Sequence, residues 1–271
     1  MSVRLRIPDL SLKETLECGQ FFRYTKLDDR YLLSASNRIV WLWQRGGFLF
    51  CEGADQDFLV HFFRLEDRFD PILESIDRDP FIHKAIEKYR GLRLLRQDPW
   101  ECLVSFLCSS AKAVSHIRAV VEVLCGFSGR KMISGNVYSF SIPEPHGFCD
   151  IRRLERAGAG FRAKYLVEVS KAVDRDWLLE LKRLPYDEAR SRLTKLPGVG
   201  KKIADCVLLY SLDFLEAFPM DTWIVKGLRQ AYFAGRSVGV KEMEAFVSTH
   251  FGPFAGYAQL YLYHFFRNVS L

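Results

Sequence analysis

Five side chains in the segment KLPGVGKKIADCVLLYSLDFLEAFPMDTW (residues 195–223) are candidates for chemistry. Lys202 and Cys206 are spaced i, i+4, so on a helix they share one face, while Lys201 and Asp205 share another about 100° away. Asp221 follows Pro219 and precedes the helical run TWIVKGLRQAYF, which is where an N-cap stands. An amine attacks an electrophilic carbon only when neutral, a form that burial or neighbouring positive charge favours. A carboxylate nearby stabilises the cation that develops as a bond to that carbon breaks. On a nucleoside this pair removes the base: the amine forms a Schiff base with the opened sugar, and the imine acidifies C2′ for β-elimination of the 3′ phosphate. Each residue also has an ordinary explanation. Lys201 could be solvated, phosphate-facing or paired with Asp205, and Asp221 could be only a cap.

Such side chains need a scaffold that brings DNA to them. YDEARSRLT reads as a short helix that Leu196-Pro197-Gly198-Val199-Gly200 cannot continue, because proline and two glycines break the ladder. A second helix, KKIADCVLLYSL, starts after Gly200. A helix, tight hairpin and helix over about residues 186–211 exposes backbone N–H groups at a helix N-terminus, and these bind phosphate without reading sequence. Gly198, Val199, Gly200 and Lys201 are the candidate contacts, the glycines allowing close approach of a backbone. Charge agrees. Residues 152–202 hold 14 Lys and Arg against 7 Asp and Glu, whereas the rest of the chain holds 25 against 26. The excess positive charge lies in one segment, as a phosphate-facing surface requires.

Around this segment the pattern predicts an α+β fold. RYLLSAS, NRIVWLWQR and GGFLFCE, with its Gly46-Gly47 turn, predict antiparallel hairpins. From Asp55 onward the apolar period becomes helical, with Pro71, Pro80 and Pro99 at or near helix starts. The expected division is a sheet domain over 1–79 and a larger helical domain over 80–271. With 271 residues and 49% apolar content the chain can bury a substantial core. No apolar run reaches the roughly 20 residues of a membrane span, and the start lacks a secretory or transit signal. The expectation is a soluble intracellular protein of the cytoplasm and nucleoid, or of a nucleus. Seven cysteines without a CxxC pair argue against a disulfide framework and a zinc ribbon.

GVGKKIADC followed by FPMD resembles the 8-oxoguanine DNA glycosylase/AP lyase family, within the HhH-GPD superfamily of base-excision glycosylases. RLLRQDPWECLVSFLCSS (93–110), AGFRAKYL (159–166), GPFAGYAQLYLYHF (252–265) and CGQFFRY (18–24) are similar to the same family. The resemblance implies a helical HhH-GPD domain and a bifunctional enzyme that flips 8-oxoguanine out of duplex DNA, excises it and cleaves the strand. It makes Lys202 the Schiff-base lysine and Asp221 the catalytic aspartate. Gly19 becomes the glycine whose carbonyl accepts N7–H of the oxidised base. Guanine N7 is an acceptor, so that carbonyl attracts the lesion and repels the normal base. Cys206 and Tyr263 stand where the family stacks the flipped base, and Gln259 where it reads the Watson–Crick edge. Backbone carbonyls of Thr194, Leu196 and Val199 match a structural monovalent-cation site of related proteins. No cofactor is required for turnover, and nothing demands more than a monomer.

The sequence also departs from that pattern. Ala111 and His116 stand where the family carries an asparagine and an arginine that contact the orphaned cytosine. Arg162 matches another cytosine-reading arginine, but Phe161 replaces the tyrosine that wedges into the gap, and Trp223 stands where a histidine near the target phosphate is expected. Relaxed reading of the opposite base follows. Glycosylases for other damaged bases fit less well: no cysteine follows Cys206 to complete a four-cysteine iron–sulfur cluster, and alkylated-base glycosylases usually lack the lysine. A non-catalytic DNA-binding module would explain the hairpin but not Lys202, Asp221 and Gly19 together.

Overall fold

The computed structural model describes residues 2–109 and 114–269. The chain opens with β1 (Ser2–Arg6), α1 (Leu12–Glu17), β2 (Tyr24–Leu27), β3 (Arg30–Ala35), β4 (Arg38–Arg45) and β5 (Phe48–Glu52). The five strands form one antiparallel sheet in the order β1-β5-β4-β3-β2. Its tight turns use positive φ, at Ser36 and Asn37 between β3 and β4 and at Gly46 and Gly47 between β4 and β5. That geometry suits hairpin turns, whose twist must match the strands. The helix α1 interrupts a region the sequence reads as sheet; Ser11 caps it by accepting the Glu14 amide.

The remainder is mostly helical: α2 (Gln56–Phe62), α3 (Phe69–Ile76), α4 (Pro80–Lys88), α5 (Pro99–Leu107) and α6 (Val114–Ser128). A separate two-stranded sheet, β6 (Lys131–Ser134) and β7 (Val137–Phe140), then departs from the helical expectation. There follow α7 (Ile151–Leu154), α8 (Arg162–Ala172), α9 (Arg175–Glu180), α10 (Tyr186–Thr194), α11 (Lys201–Ser211), α12 (Thr222–Tyr232), α13 (Val240–Phe251) and α14 (Ala255–Asn268). Asp79 and Asp98 cap α4 and α5, each followed by proline at the first helical position, where its missing N–H costs nothing. Among the described residues, no helix is long and apolar enough to cross a membrane.

Two apolar cores form. In one, Leu33, Val40, Leu42 and Leu49 of the sheet meet Leu16 of α1 and Leu59 and Phe62 of α2. The helical core begins at α3 with Phe69 and Ile72, and it also takes in Cys18 and Phe22 from the loop after α1. Polar contacts tie the two together. Asp213 accepts from Arg64 and from Arg96 at 2.7 Å, and pairs with Lys182 at 2.6 Å. Burial would raise the Asp213 carboxyl, but these three cations hold it at about 2. Buried Glu101 of α5 accepts the Ser36 and Asn37 amides of the β3–β4 turn.

Candidate active site

The helices α10 and α11 and the hairpin between them stand where the sequence places them. The Val199 amide donates to the Leu196 carbonyl at 3.1 Å and closes the turn. Gly198 has φ +76, and a Cβ there would lie 2.5 Å from the Tyr165 ring. This glycine therefore serves internal packing, not the approach of DNA. At Gly200 a Cβ would meet nothing within 4 Å, so the open approach at the N-terminus of α11 is here. Lys201 does not pair with Asp205. Its ammonium is 3.4 Å from Glu244 of α13, and Asp205 is buried against the Tyr186 hydroxyl at 2.8 Å and Arg190 at 2.9 Å. Burial pushes the Asp205 carboxyl up to about 7 against the pull of Arg190.

Seven residues singled out in the sequence line one cleft of about 900 Å³. Lys202 and Cys206 come from α11, Asp221 and Trp223 from the start of α12, Gln259 and Tyr263 from α14, and Gly19 from the loop after α1. The Lys202 ammonium donates to Ser109 Oγ at 3.3 Å and lies 5.0 Å from the centre of the Phe106 ring. One turn along, burial pushes the Cys206 thiol up to about 12 despite the Lys202 charge, so this residue offers a neutral apolar surface. Asp221 is both cap and cleft residue: it accepts the Ile224 amide at 2.8 Å. Burial raises its carboxyl above the usual range, while that amide, Lys202 and Arg267 oppose the rise.

Across the cleft, the amide of buried Gln259 is held at both ends. It donates to the Pro219 carbonyl at 3.2 Å and accepts from the Tyr210 hydroxyl at 3.3 Å. Gln259, Tyr263 and Arg267 follow at i, i+4 and i+8 on one face of α14. Sequence reading missed Arg267, Ser109, Phe106 and Tyr210 as cleft residues. The helical period after Tyr263 was the available signal for Arg267.

Other predicted contacts lie outside the cleft. Phe161 is 66% exposed at the start of α8, and the buried Arg162 guanidinium is 4.5 Å from its ring. His116 is exposed near the start of α6, and Ala111 lies outside the described residues. Of the three hairpin carbonyls, that of Leu196 accepts the Val199 amide, which uses one of its two lone pairs. Among the described residues, no group of three or more His, Cys, Asp or Glu could hold a metal ion.

Comparison with known proteins bears on these features. Residues 2–103 match the family model of the 8-oxoguanine DNA glycosylase N-terminal domain. The N-glycosylase/DNA lyase OGG1 of Arabidopsis thaliana is 32% identical over 96% of this chain and 78% of its own length. A probable N-glycosylase/DNA lyase of Methanothermobacter thermautotrophicus is 31% identical over 71% of this chain and 69% of its own. Among solved structures, the Clostridium acetobutylicum 8-oxoguanine glycosylase/lyase, in complex with duplex DNA containing cytosine opposite 8-oxoguanine, superposes with a TM-score of 0.92. It is 28% identical and is matched over 98% of this chain and 95% of that one. The 3-methyladenine DNA glycosylase of Archaeoglobus fulgidus, at 17% identity and a TM-score of 0.81 over 99% of both chains, shares the fold.

Proposed function

The chain belongs to the 8-oxoguanine DNA glycosylase/lyase family, and from that premise we propose that it excises 8-oxoguanine from duplex DNA and then cleaves the strand. The observation that carries the mechanism is the convergence of Lys202, Asp221, Gly19, Cys206, Gln259 and Tyr263 on one cleft. The flipped base slots between the Cys206 side chain and the Tyr263 ring. The Gly19 carbonyl accepts its N7–H, and Gln259 faces its Watson–Crick edge.

Neutral Lys202 attacks C1′, the C1′–N9 bond breaks, and the base leaves with its bonding electrons and takes up a proton. The Asp221 carboxylate faces the positive charge that grows on the sugar. Loss of a proton from the lysine nitrogen and opening of the ring give the imine. A proton then leaves C2′, the 3′ phosphate departs, and water releases Lys202. This route uses an amine, a carboxylate and water. Every residue named belongs to one chain, so a monomer suffices, acting inside the cell where the DNA is.

The open N-terminus of α11 at Gly200 and Lys201 meets the phosphates of the lesion strand, while Gly198, packed on Tyr165, and Val199, its amide taken up by the Leu196 carbonyl, hold the turn in shape. The carbonyls of Thr194, Leu196 and Val199 are proposed as the seat of a monovalent cation that stiffens this turn. Opposite-base reading falls to Arg162, with exposed Phe161 at the gap and His116 as a weaker donor, while Trp223, in the cleft, stands near the target phosphate.

Borohydride reduction of the imine tests the assignment directly. The parent and Lys201→Gln should give a covalent DNA adduct, and Lys202→Gln should not. Undiminished trapping by Lys202→Gln would transfer the role to another amine.

A further inference from the structure

The loop that bears Gly19 is held on both sides. Before it, the Cys18 amide donates to the Glu14 carbonyl at 3.2 Å, and the Cys18 carbonyl accepts from Arg267 Nη1 at 3.2 Å. After it, the Gln20 side chain donates to the Thr15 and Arg93 carbonyls and accepts the Leu95 amide. Gln97 Nε2 donates to the Gln20 carbonyl at 2.7 Å. The carbonyls on either side of Gly19 are therefore occupied by protein donors.

Of these contacts, that of Arg267 alone comes from α14, the helix that presents Gln259 and Tyr263. The guanidinium also packs against what Gly19 leaves open. A Cβ on Gly19 would lie 3.1 Å from Arg267 Nη1 and 3.6 Å from the Tyr263 ring. Arg267 lies 5.8 Å from the centre of that ring, and its charge opposes the effect of burial on the Tyr263 hydroxyl. One side chain thus spans the glycine loop and the stacking residue.

We propose that Arg267 is a specificity-determining positioning residue: it fixes the Gly19 peptide relative to the Tyr263 ring and so sets the register of the slot that receives the base. The proposal rests on the reading of the cleft as an 8-oxoguanine site. Recognition through N7–H works only if the Gly19 carbonyl and the stacking plane hold one geometry, and a misplacement of about 1 Å can lower a rate by about 100-fold. Arg suits the role because its rigid planar fork serves a carbonyl and an aromatic side chain at once.

The test compares the parent, Arg267→Met and Arg267→Lys on duplexes bearing 8-oxoguanine and on duplexes bearing a pre-formed abasic site. Cleavage at the abasic site needs no base in the slot and serves as the internal control. Arg267→Met should lose about 10- to 100-fold in single-turnover excision relative to its abasic-site cleavage. Arg267→Lys, which can still donate to the Cys18 carbonyl, should recover part of the loss. Loss of the Arg267 charge also lets the Asp221 carboxyl rise, so the acid limb of Arg267→Met should move up in pH, and the comparison is made on the plateau above it, where a positional loss persists. Excision by Arg267→Met within threefold of the parent, or equal loss of both activities, overturns the proposal. So does a loss that disappears on the plateau above the acid limb, which would place the effect in the Asp221 charge. A parent that leaves 8-oxoguanine intact refutes the reading of the cleft itself, which separates that failure from this one.

Discussion

Replacing Gly19 with alanine perturbs recognition through the backbone alone. Gly19 has φ +101, which L residues rarely adopt, and holding alanine there costs about 1–3 kcal/mol. The added methyl would sit 3.1 Å from the far end of Arg267, which can shift by a few tenths of an ångström, and in ordinary contact with Tyr263 at 3.6 Å. Strain therefore dominates over the clash. Against a typical stability of about 5–15 kcal/mol the variant stays folded, with a Tm lower by about 2–10 °C. The loop can relieve that strain by rotating its peptides, which turns the Gly19 carbonyl away from N7–H. Excision of 8-oxoguanine should then fall by about 10- to 100-fold. Cleavage of a pre-formed abasic site should change little, because Lys202 is untouched. Single-turnover rates on the two substrates, with a thermal melt of the same preparation, decide the matter. Parental excision with an unchanged Tm would refute both the strain and the carbonyl's role, and parallel loss of both activities would point to misfolding.

Asp221→Asn should keep DNA binding and the α12 cap, since asparagine caps as well as aspartate, but lose most excision. Because burial raises the Asp221 carboxyl, it loses its charge at a higher pH than a free carboxylate. The parent's excision should therefore fall, as pH drops, from above the ordinary carboxylate pKa of about 3.9, and a pH–rate profile without that limb would exclude Asp221 as the group. With Ala111 offering no donor, 8-oxoguanine should be removed opposite T, G or A with a penalty of one arginine contact, about 1–3 kcal/mol, relative to C. A cytosine preference of a thousandfold or more in single-turnover rates would show that other residues read that base. Asp213→Asn tolerates the positive φ of its site but leaves Arg64 and Arg96 without their shared anion, and should destabilise by about 1–3 kcal/mol at neutral pH. The Asp213 carboxyl is held at about 2, so its contribution is present above its unfolded pKa and lost as pH falls from about 4 towards 2. Urea melts of parent and variant should therefore converge over that window, and a constant gap would refute the pairing.

The segment that bears Lys202 and Asp221 was legible because its signals are local. Proline and glycine end α10, Gly200 starts α11, and Asp221 after Pro219 marks the cap of α12, so the positions of Lys202, Cys206 and Asp221 followed from chain-neighbour chemistry. The resemblance carried Gly19, Gln259 and Tyr263, which no local pattern connects. What escaped depends on distant partners. Asp205 pairs with Arg190 of the preceding helix instead of with the lysine one turn away. The inward role of Gly198 depends on Tyr165, 33 residues earlier. The short helix α1 and the hairpin at Gly135 lie in stretches where tertiary packing overrides a weak period.

Tyr165 has a wider consequence than the packing of one glycine. Its ring packs on Gly198, and its edge-to-face partner, at 6.2 Å and 83°, is the exposed Phe161. The hairpin turn and the exposed Phe161 ring are therefore mounted on a common bearing. Neither can be adjusted through position 165 without moving the other. A larger or smaller ring there would shift the turn and the Phe161 ring in concert, whereas Phe161, exposed beyond the bearing, can change while the turn stays fixed. The geometry leaves the Phe161 ring on the exposed side of that bearing and ties the turn to Tyr165.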